Sequence, residues 1–346
     1  MHNNRKDIPM VPNRKASMPV VYGDTPSFLG VDVLTLHSLE KGYDIIFAGV
    51  PWEGTITWGS FSGCEQAPRT IRHAAARYGG FLPEYEIDVF DYLKIGDIGD
   101  TTVNASNPAE TMRNIYESMD QIYKNQSIPI VLGGDHSFTQ EIVKALSVNR
   151  EGDIGVIHFD AHFDNSSSFG DDEFPRCGPI HRTALIDKVR NESIVHIGIR
   201  GPRNSPSQLE NAKKMGASIF TIRDIRQQGI DTVIEKAIRI ARKNTEHLFI
   251  SICSDCIDAA FNPGGPADFN GLLPHELFSA LYRLGEEGIA GLDYVEIYPK
   301  QDPMSVSSHL VSWGLIHVLA GLASKKRGEQ PPLASVSQLS ETVWHA

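Results

Sequence analysis

The stretch Ile157-His158-Phe159-Asp160-Ala161-His162-Phe163-Asp164 decides how this chain is read. The apolar run Ile154-Gly155-Val156-Ile157 leads into it and then gives way to Asp-Ala-His-Phe-Asp. That change predicts a buried strand whose carboxyl end carries metal-ligand side chains. In an open α/β sheet, sites form in the crevice outside the carboxyl ends of the strands. Side chains of an extended segment alternate faces, so Asp160, His162 and Asp164 share one. Two carboxylates and an imidazole there suit a divalent first-row metal. Taken alone, the same residues could instead serve as caps and turn formers after a core strand.

The pattern repeats on either side. Ile128-Pro129-Ile130-Val131-Leu132 runs into Gly133-Gly134-Asp135-His136-Ser137, and His247-Leu248-Phe249-Ile250-Ser251-Ile252 runs into Cys253-Ser254-Asp255-Cys256-Ile257-Asp258. Three polar strand ends at one edge of a parallel sheet would gather His136, Asp160, His162, Asp164 and Asp255. Such a set would serve two adjacent divalent ions, with a carboxylate bridging them and a water held between. Gly133-Gly134 permits close backbone approach just before His136.

Further strands are expected at 44–50, 92–96, 193–199, 217–221 and 289–297. Helices are expected at 68–76, 108–124, 139–146, 231–242, 274–284 and 305–322, the second with Met112, Ile115, Met119 and Ile122 at helical spacing. Strands alternating with helices, without a break in composition, predict one α/β domain with a mainly parallel sheet. It is assigned to 29–324, between a polar, Pro-rich arm at 1–28 and a charged tail at 325–346. Residues 165–182 read as a Ser/Gly/Asp-rich loop.

The 346 residues carry a formal charge of −11, which argues against a protein that tracks nucleic-acid phosphates. The four cysteines form no second C-x-x-C pair, so neither a zinc knuckle nor a disulfide framework is expected. The beginning of the chain has no apolar targeting segment, and no membrane span is expected. A cytoplasmic setting follows as the default.

The combination Gly133-Gly134-Asp135-His136-Ser137, Asp160-Ala161-His162-Phe163-Asp164, Ser251-x-x-x-Asp255 and Leu292-Asp293-x-Val295-Glu296 resembles the ureohydrolase family of arginase and agmatinase. Gly49-Val50-Pro51 through Ala67-Pro68-Arg69-Thr70-Ile71-Arg72 is similar to that family's N-terminal pattern. The resemblance implies a three-layer α/β/α fold and assembly with homologous subunits as trimers or hexamers. It also implies metal-dependent hydrolysis of a small guanidino substrate, such as agmatine, guanidinobutyrate or metformin, to urea or a urea-like product and an amine. By the same resemblance His136, Asp160, His162, Asp164 and Asp255 match ligand positions for two ions, nickel or manganese, and Asp160 would bridge them. Asp164 and Glu296 match catalytic positions, with Glu296 holding the guanidinium through a bidentate carboxylate.

Two departures stand out. Cys253 occupies the position of the family's second bridging aspartate. As a thiolate it would favour a softer metal; as a neutral thiol it would leave the ion pair one charge short. The family's His-Gly pair near the substrate corresponds to Cys177-Gly178, with His181 beyond it as the alternative catalytic imidazole. Both changes resemble a subunit of a metformin-hydrolase-type heteromeric complex, in which a paralogue supplies the intact site. Trp52, Trp58 and Phe61 are candidates to wall a guanidinium pocket, or to pack against one another in a large loop.

Overall fold

The computed structural model describes residues 9–11, 14–15, 27–39, 41–54 and 62–329. The apolar runs form one nine-stranded sheet. Its strands in chain order are β1 (Asp32–Val33), β2 (Ile45–Gly49), β3 (Ile95–Asp100), β4 (Ile128–Leu132), β5 (Ile154–Phe159), β6 (Val189–Ile199), β7 (Ser218–Thr221), β8 (His247–Cys253) and β9 (Gly291–Val295). In space they run β7-β6-β5-β8-β9-β4-β2-β3-β1, with every neighbouring pair parallel. Such strands are covered on both faces, which is why their sequences are continuous apolar runs.

The covering helices are α1 (Ala67–Ala75), α2 (Pro108–Lys124), α3 (Thr139–Asn149), α4 (Pro179–Thr183), α5 (Pro206–Met215), α6 (Ile222–Gln228), α7 (Ile230–Ala241), α8 (Pro274–Glu287) and α9 (Val306–Glu329). The pleat of β2 displays the layering. Ile45 and Phe47 pack into one apolar layer with Ile71 of α1, Val233 of α7, Leu277 of α8 and Leu315 of α9. Ile46 and Ala48 point into the other, with Ile115 of α2 and Ile142 of α3. The expected three-layer architecture is therefore present.

The expectations differ from the structure in particular places. Helices α5 and α6 were not anticipated, although each opens on a capping box, Ser205 with Gln208 and Thr221 with Asp224. The short α4 lies within what reads as loop. The first edge of the domain also falls earlier than 29: Phe28 is buried, stacks on Phe47 at 4.1 Å between ring centroids, and donates its N–H to Asp97. The rest of the expected arm is largely outside the described residues, as is the tail from 330.

At the other end α9 runs on to Glu329, because its last turns lie against the edge of the domain. Lys326 pairs with Asp44, Lys325 donates to the Glu287 carbonyl, and Arg327 to that of Glu86. The charge run is thus tethered to the domain, while Lys325 and Arg327 stay exposed to solvent. Helix α9 alone among the described helices is long and apolar enough to cross a membrane, and 83% of its apolar window is buried inside the domain.

One buried polar anchor ties α1 to β3. Arg72 of α1 is buried; its Nε and Nη2 donate to the two oxygens of Asp97 on β3, and Nη2 also reaches the Gly99 carbonyl.

Candidate metal centre

Strands β5, β8, β9 and β4 are consecutive neighbours in the sheet, although far apart in the chain. Their carboxyl ends deliver Asp160, Cys253 with Asp255, Glu296 and His136 to one place. Close packing permits this: a side chain at Gly134 would collide with the Trp52 carbonyl, and one at Gly133 with Val295.

The gathered residues form two groups that share a carboxylate. His136 Nδ1 lies 3.0 Å from Asp164 Oδ2 and 3.4 Å from Asp160 Oδ2. His162 Nδ1 lies 3.2 Å from Asp160 Oδ1 and 3.1 Å from Asp255 Oδ2. Asp160 thus turns one oxygen to each imidazole. Cys253 Sγ joins Asp160 and Asp255 in a cluster whose candidate ligand atoms lie within 4.8 Å of one another.

The rings are aimed by a second layer of contacts. His136 Nε2 lies 2.9 Å from Ser251 Oγ, which donates to buried Asp293 at 2.7 Å. With its proton on Nε2, the ring turns an unprotonated Nδ1 toward two carboxylates. That nitrogen is buried without a hydrogen-bond partner, as is His162 Nε2. A lone pair facing carboxylates needs a cation or a proton between them, so the residues fit divalent ions.

The titration behaviour agrees. Burial alone would lower the His136 and His162 pKa values. The carboxylates of Asp160 and Asp164 nevertheless hold His136 well above its ordinary value, and Asp255 with Asp160 raises His162 to about 11. Burial opposes ionisation of Asp160, but bonds from His136, His158 and His162 keep its pKa far below the usual carboxylate range. Asp164 is raised by burial and by Asp160 beside it. Burial, with Asp160 and Asp255 next, pushes the Cys253 thiol well up, so in the ion-free chain it is neutral.

Asp164 (φ 45°) and Glu296 (φ 65°) both have left-handed backbone, which non-glycine residues adopt at a cost. Each is held there by its neighbours, Asp164 through its carbonyl to Ile180 N and Glu296 through its N–H to the Gly134 carbonyl. Asp164, Cys253, Asp255 and Glu296 line a cavity of about 250 Å³ together with His162 and Cys177.

Other expected residues fall elsewhere. His181 is half-buried on α4 and is not among the lining residues, whereas Cys177, at the start of that turn, is. Asp258 accepts Ala260 N and Gly271 N and so shapes a turn. Trp52 is buried and donates to Ser137 Oγ instead of walling the cavity. Trp58 and Phe61 lie outside the described residues. The exposed ring of Phe169 lines the cavity.

Four contributors, His158, Asp268, Arg203 and Arg176, are not among the expected residues. His158 lies between Asp160 and His196 at 3.0 Å from each. Asp268, from the loop after Pro266, approaches His162 Nε2 at 3.5 Å and pairs with Arg203. Arg176 reaches Glu296 from the loop before Cys177. Only His158 carried a signal, since it stands inside the deciding stretch. The other three sit in loops, where no periodicity points inward.

The model of the family described as the Arginase family matches residues 43–320. The chain is 31% identical over 274 residues to a formimidoylglutamase of Halalkalibacterium halodurans, covering 78% of this chain and 85% of that protein. It is 28% identical over 292 residues to a guanidinopropionase of Pseudomonas aeruginosa, covering 82% and 89%. The crystal structure of formimidoylglutamase from Bacillus subtilis superposes with a TM-score of 0.78 at 26% identity, covering 87% of this chain and 93% of that one.

Proposed function

The chain belongs to the arginase family, and on that footing we propose that it hydrolyses a C–N bond of a guanidino or formimino group in a small substrate, using two divalent ions. The observation that carries this reading is the pair of imidazole–carboxylate groups sharing Asp160. His136, Asp160 and Asp164 would hold one ion; His162, Asp160 and Asp255 the other. Cys253 Sγ lies within 4.8 Å of candidate ligand atoms of Asp160 and Asp255, and its sulfur would tilt the choice from manganese toward a thiophilic metal such as nickel. The ions, when bound, supply Lewis-acid polarisation and a water made acidic enough to react near neutral pH.

The protein's own groups do the rest. Glu296 is the carboxylate suited to a planar cation. Asp164, its pKa raised by burial and by Asp160, would take the proton from the attacking water and return it to the departing nitrogen. The water oxygen joins the guanidino or formimino carbon, the C–N bond breaks, and urea or formamide leaves with the amine. The matched relatives that carry a carboxylate in their named substrates support a guanidino or formimino acid as the class. Four unpaired cysteines support a reducing, cytoplasmic setting.

The neutral Cys253 and the loss of the loop histidine at Cys177 favour a second reading: a subunit that assembles with a homologous chain, as in a metformin-hydrolase-type complex, and relies on its partner's site. Metal analysis of the purified chain, with urea, formamide and amine release from a panel of guanidino and formimino acids, separates the two. Bound metal with turnover by the chain alone supports the first reading. Turnover only after a homologous subunit is added overturns it in favour of the second.

A further inference from the structure

The carboxylate proposed to hold the substrate cation already faces a guanidinium. Arg176 is buried to all but 6% of its surface. Its Nη1 donates to Tyr298 Oη at 2.6 Å and lies 3.5 Å from Glu296 Oε2, which also accepts the Tyr298 hydroxyl. The other Glu296 oxygen accepts His136 N–H at 2.8 Å. On the far side, Arg176 Nη2 lies 3.5 Å from Asp135 Oδ2 and 3.6 Å from Glu53 Oε1.

Three carboxylates, from Glu53, Asp135 and Glu296, therefore surround one planar cation. The fit is loose. Arg176 Nε and Nη2 and Glu53 Oε1 are all buried without a hydrogen-bond partner. Unmade bonds to buried charged groups are costly, and a rigid five-donor fork is expected to use its donors where acceptors converge. The box is built for a guanidinium, yet the one that fills it arrives from the adjacent loop and leaves donors unused. Arg176 and Glu296 both line the cavity, so a cation entering from it meets Arg176 at Glu296.

We propose that Arg176 is a built-in occupant of the guanidinium slot at Glu296, so that a free guanidino cation binds there only by displacing it. Arg176 then sets specificity by self-occlusion. The apparent affinity for a free guanidinium is reduced by the fraction of molecules in which Arg176 has withdrawn. Substrates whose remaining groups bind elsewhere in the cavity overcome this, and bare guanidinium ions do not. The inference rests on the proposed use of Glu296 as the anchor, but it is read by binding alone and does not require turnover.

The test uses methylguanidinium chloride as the probe, with calorimetric titration and melting temperature of the full chain, metal-free and manganese-loaded. Arg176→Ala should bind the probe at least about tenfold more tightly than the wild type. The probe should also raise the melting temperature of that variant in a saturable way and leave the wild type unmoved. Adding Glu296→Gln to Arg176→Ala should abolish the gain. Arg176→Lys keeps a cation in the box without the planar fork and should fall between, which keeps the test open should the alanine variant fold poorly. Equal affinities in wild type, Arg176→Lys and Arg176→Ala overturn the proposal. So does a gain that survives Glu296→Gln. An active wild type with equal affinities would sink self-occlusion and leave the hydrolase reading standing; tighter probe binding in an enzyme with no turnover would do the reverse.

Discussion

Replacing Cys253 with aspartate adds a carboxylate beside Asp160 and Asp255, and its two consequences have opposite sign. Without ions, the new carboxylate stands within 4.8 Å of ligand atoms of both Asp160 and Asp255. At that distance and an effective dielectric of about 20, each pair costs about 3.5 kcal/mol. The group does not bear the full penalty, because it takes up a proton instead. For a carboxyl with an ordinary pKa of about 3.9, protonation at pH 7 costs about 4 kcal/mol, which caps the loss.

At pH 5 the same cap falls to about 1.5 kcal/mol. The protonated imidazoles of His136 and His162 offset part of either figure. The ion-free variant should therefore melt several degrees below the wild type at pH 7, and the gap should narrow on acidification. Manganese should reverse the order. Ions at a hundred times their dissociation constant add about 2.7 kcal/mol, and the variant should reach that regime at lower manganese than the wild type. Chelated and manganese-loaded melts at the two pH values, with metal analysis of each sample, make the measurement. A variant as stable as the wild type under chelation, with unchanged manganese content, would refute the assignment of Cys253 to the ion-binding cluster.

Three further outcomes follow from the same geometry. Ser251→Ala removes the group that holds His136 Nε2 and should weaken metal binding by about 10–100-fold, read by competition with a chelating dye while the secondary structure stays intact. In the ion-free chain His162 is raised from 6.5 to about 11, so the folded state holds a proton that the unfolded state releases. That stability is fully present below about pH 6.5 and is lost as pH rises toward 11, at no more than about 1.4 kcal/mol per unit. Denaturant melts across this window should show the decline in the wild type and a flatter profile in His162→Gln. Arg72→Met strips the partner from buried Asp97 and should cost about 3–5 kcal/mol, measured as a lowered denaturation midpoint; a change below about 1 kcal/mol would mean that the buried pair is replaceable.

The sequence by itself determined the layering of this protein and the strand ends that gather its candidate ligands. Continuous apolar runs bury on both faces of a parallel sheet, and the abrupt change after Ile157 and after Leu132 marks where the chain leaves the core. His136, Asp160, His162, Asp164 and Asp255 were legible because local pattern placed each at the carboxyl end of a strand or just beyond it. Helices α5 and α6 left a readable trace in their capping residues, although their polar surfaces gave little periodicity.

Only the tertiary structure decided which strand ends are neighbours. The order β5-β8-β9-β4 brings together residues more than a hundred positions apart, and no local preference encodes that order. It also decided that Arg176 and Asp268 turn into the site while His181 does not line it. Loop side chains take their direction from long-range packing and charge, since backbone propensity leaves it open. The carboxylates of Glu53, Asp135 and Glu296, apart in the chain, meet around the Arg176 guanidinium only in the folded sheet.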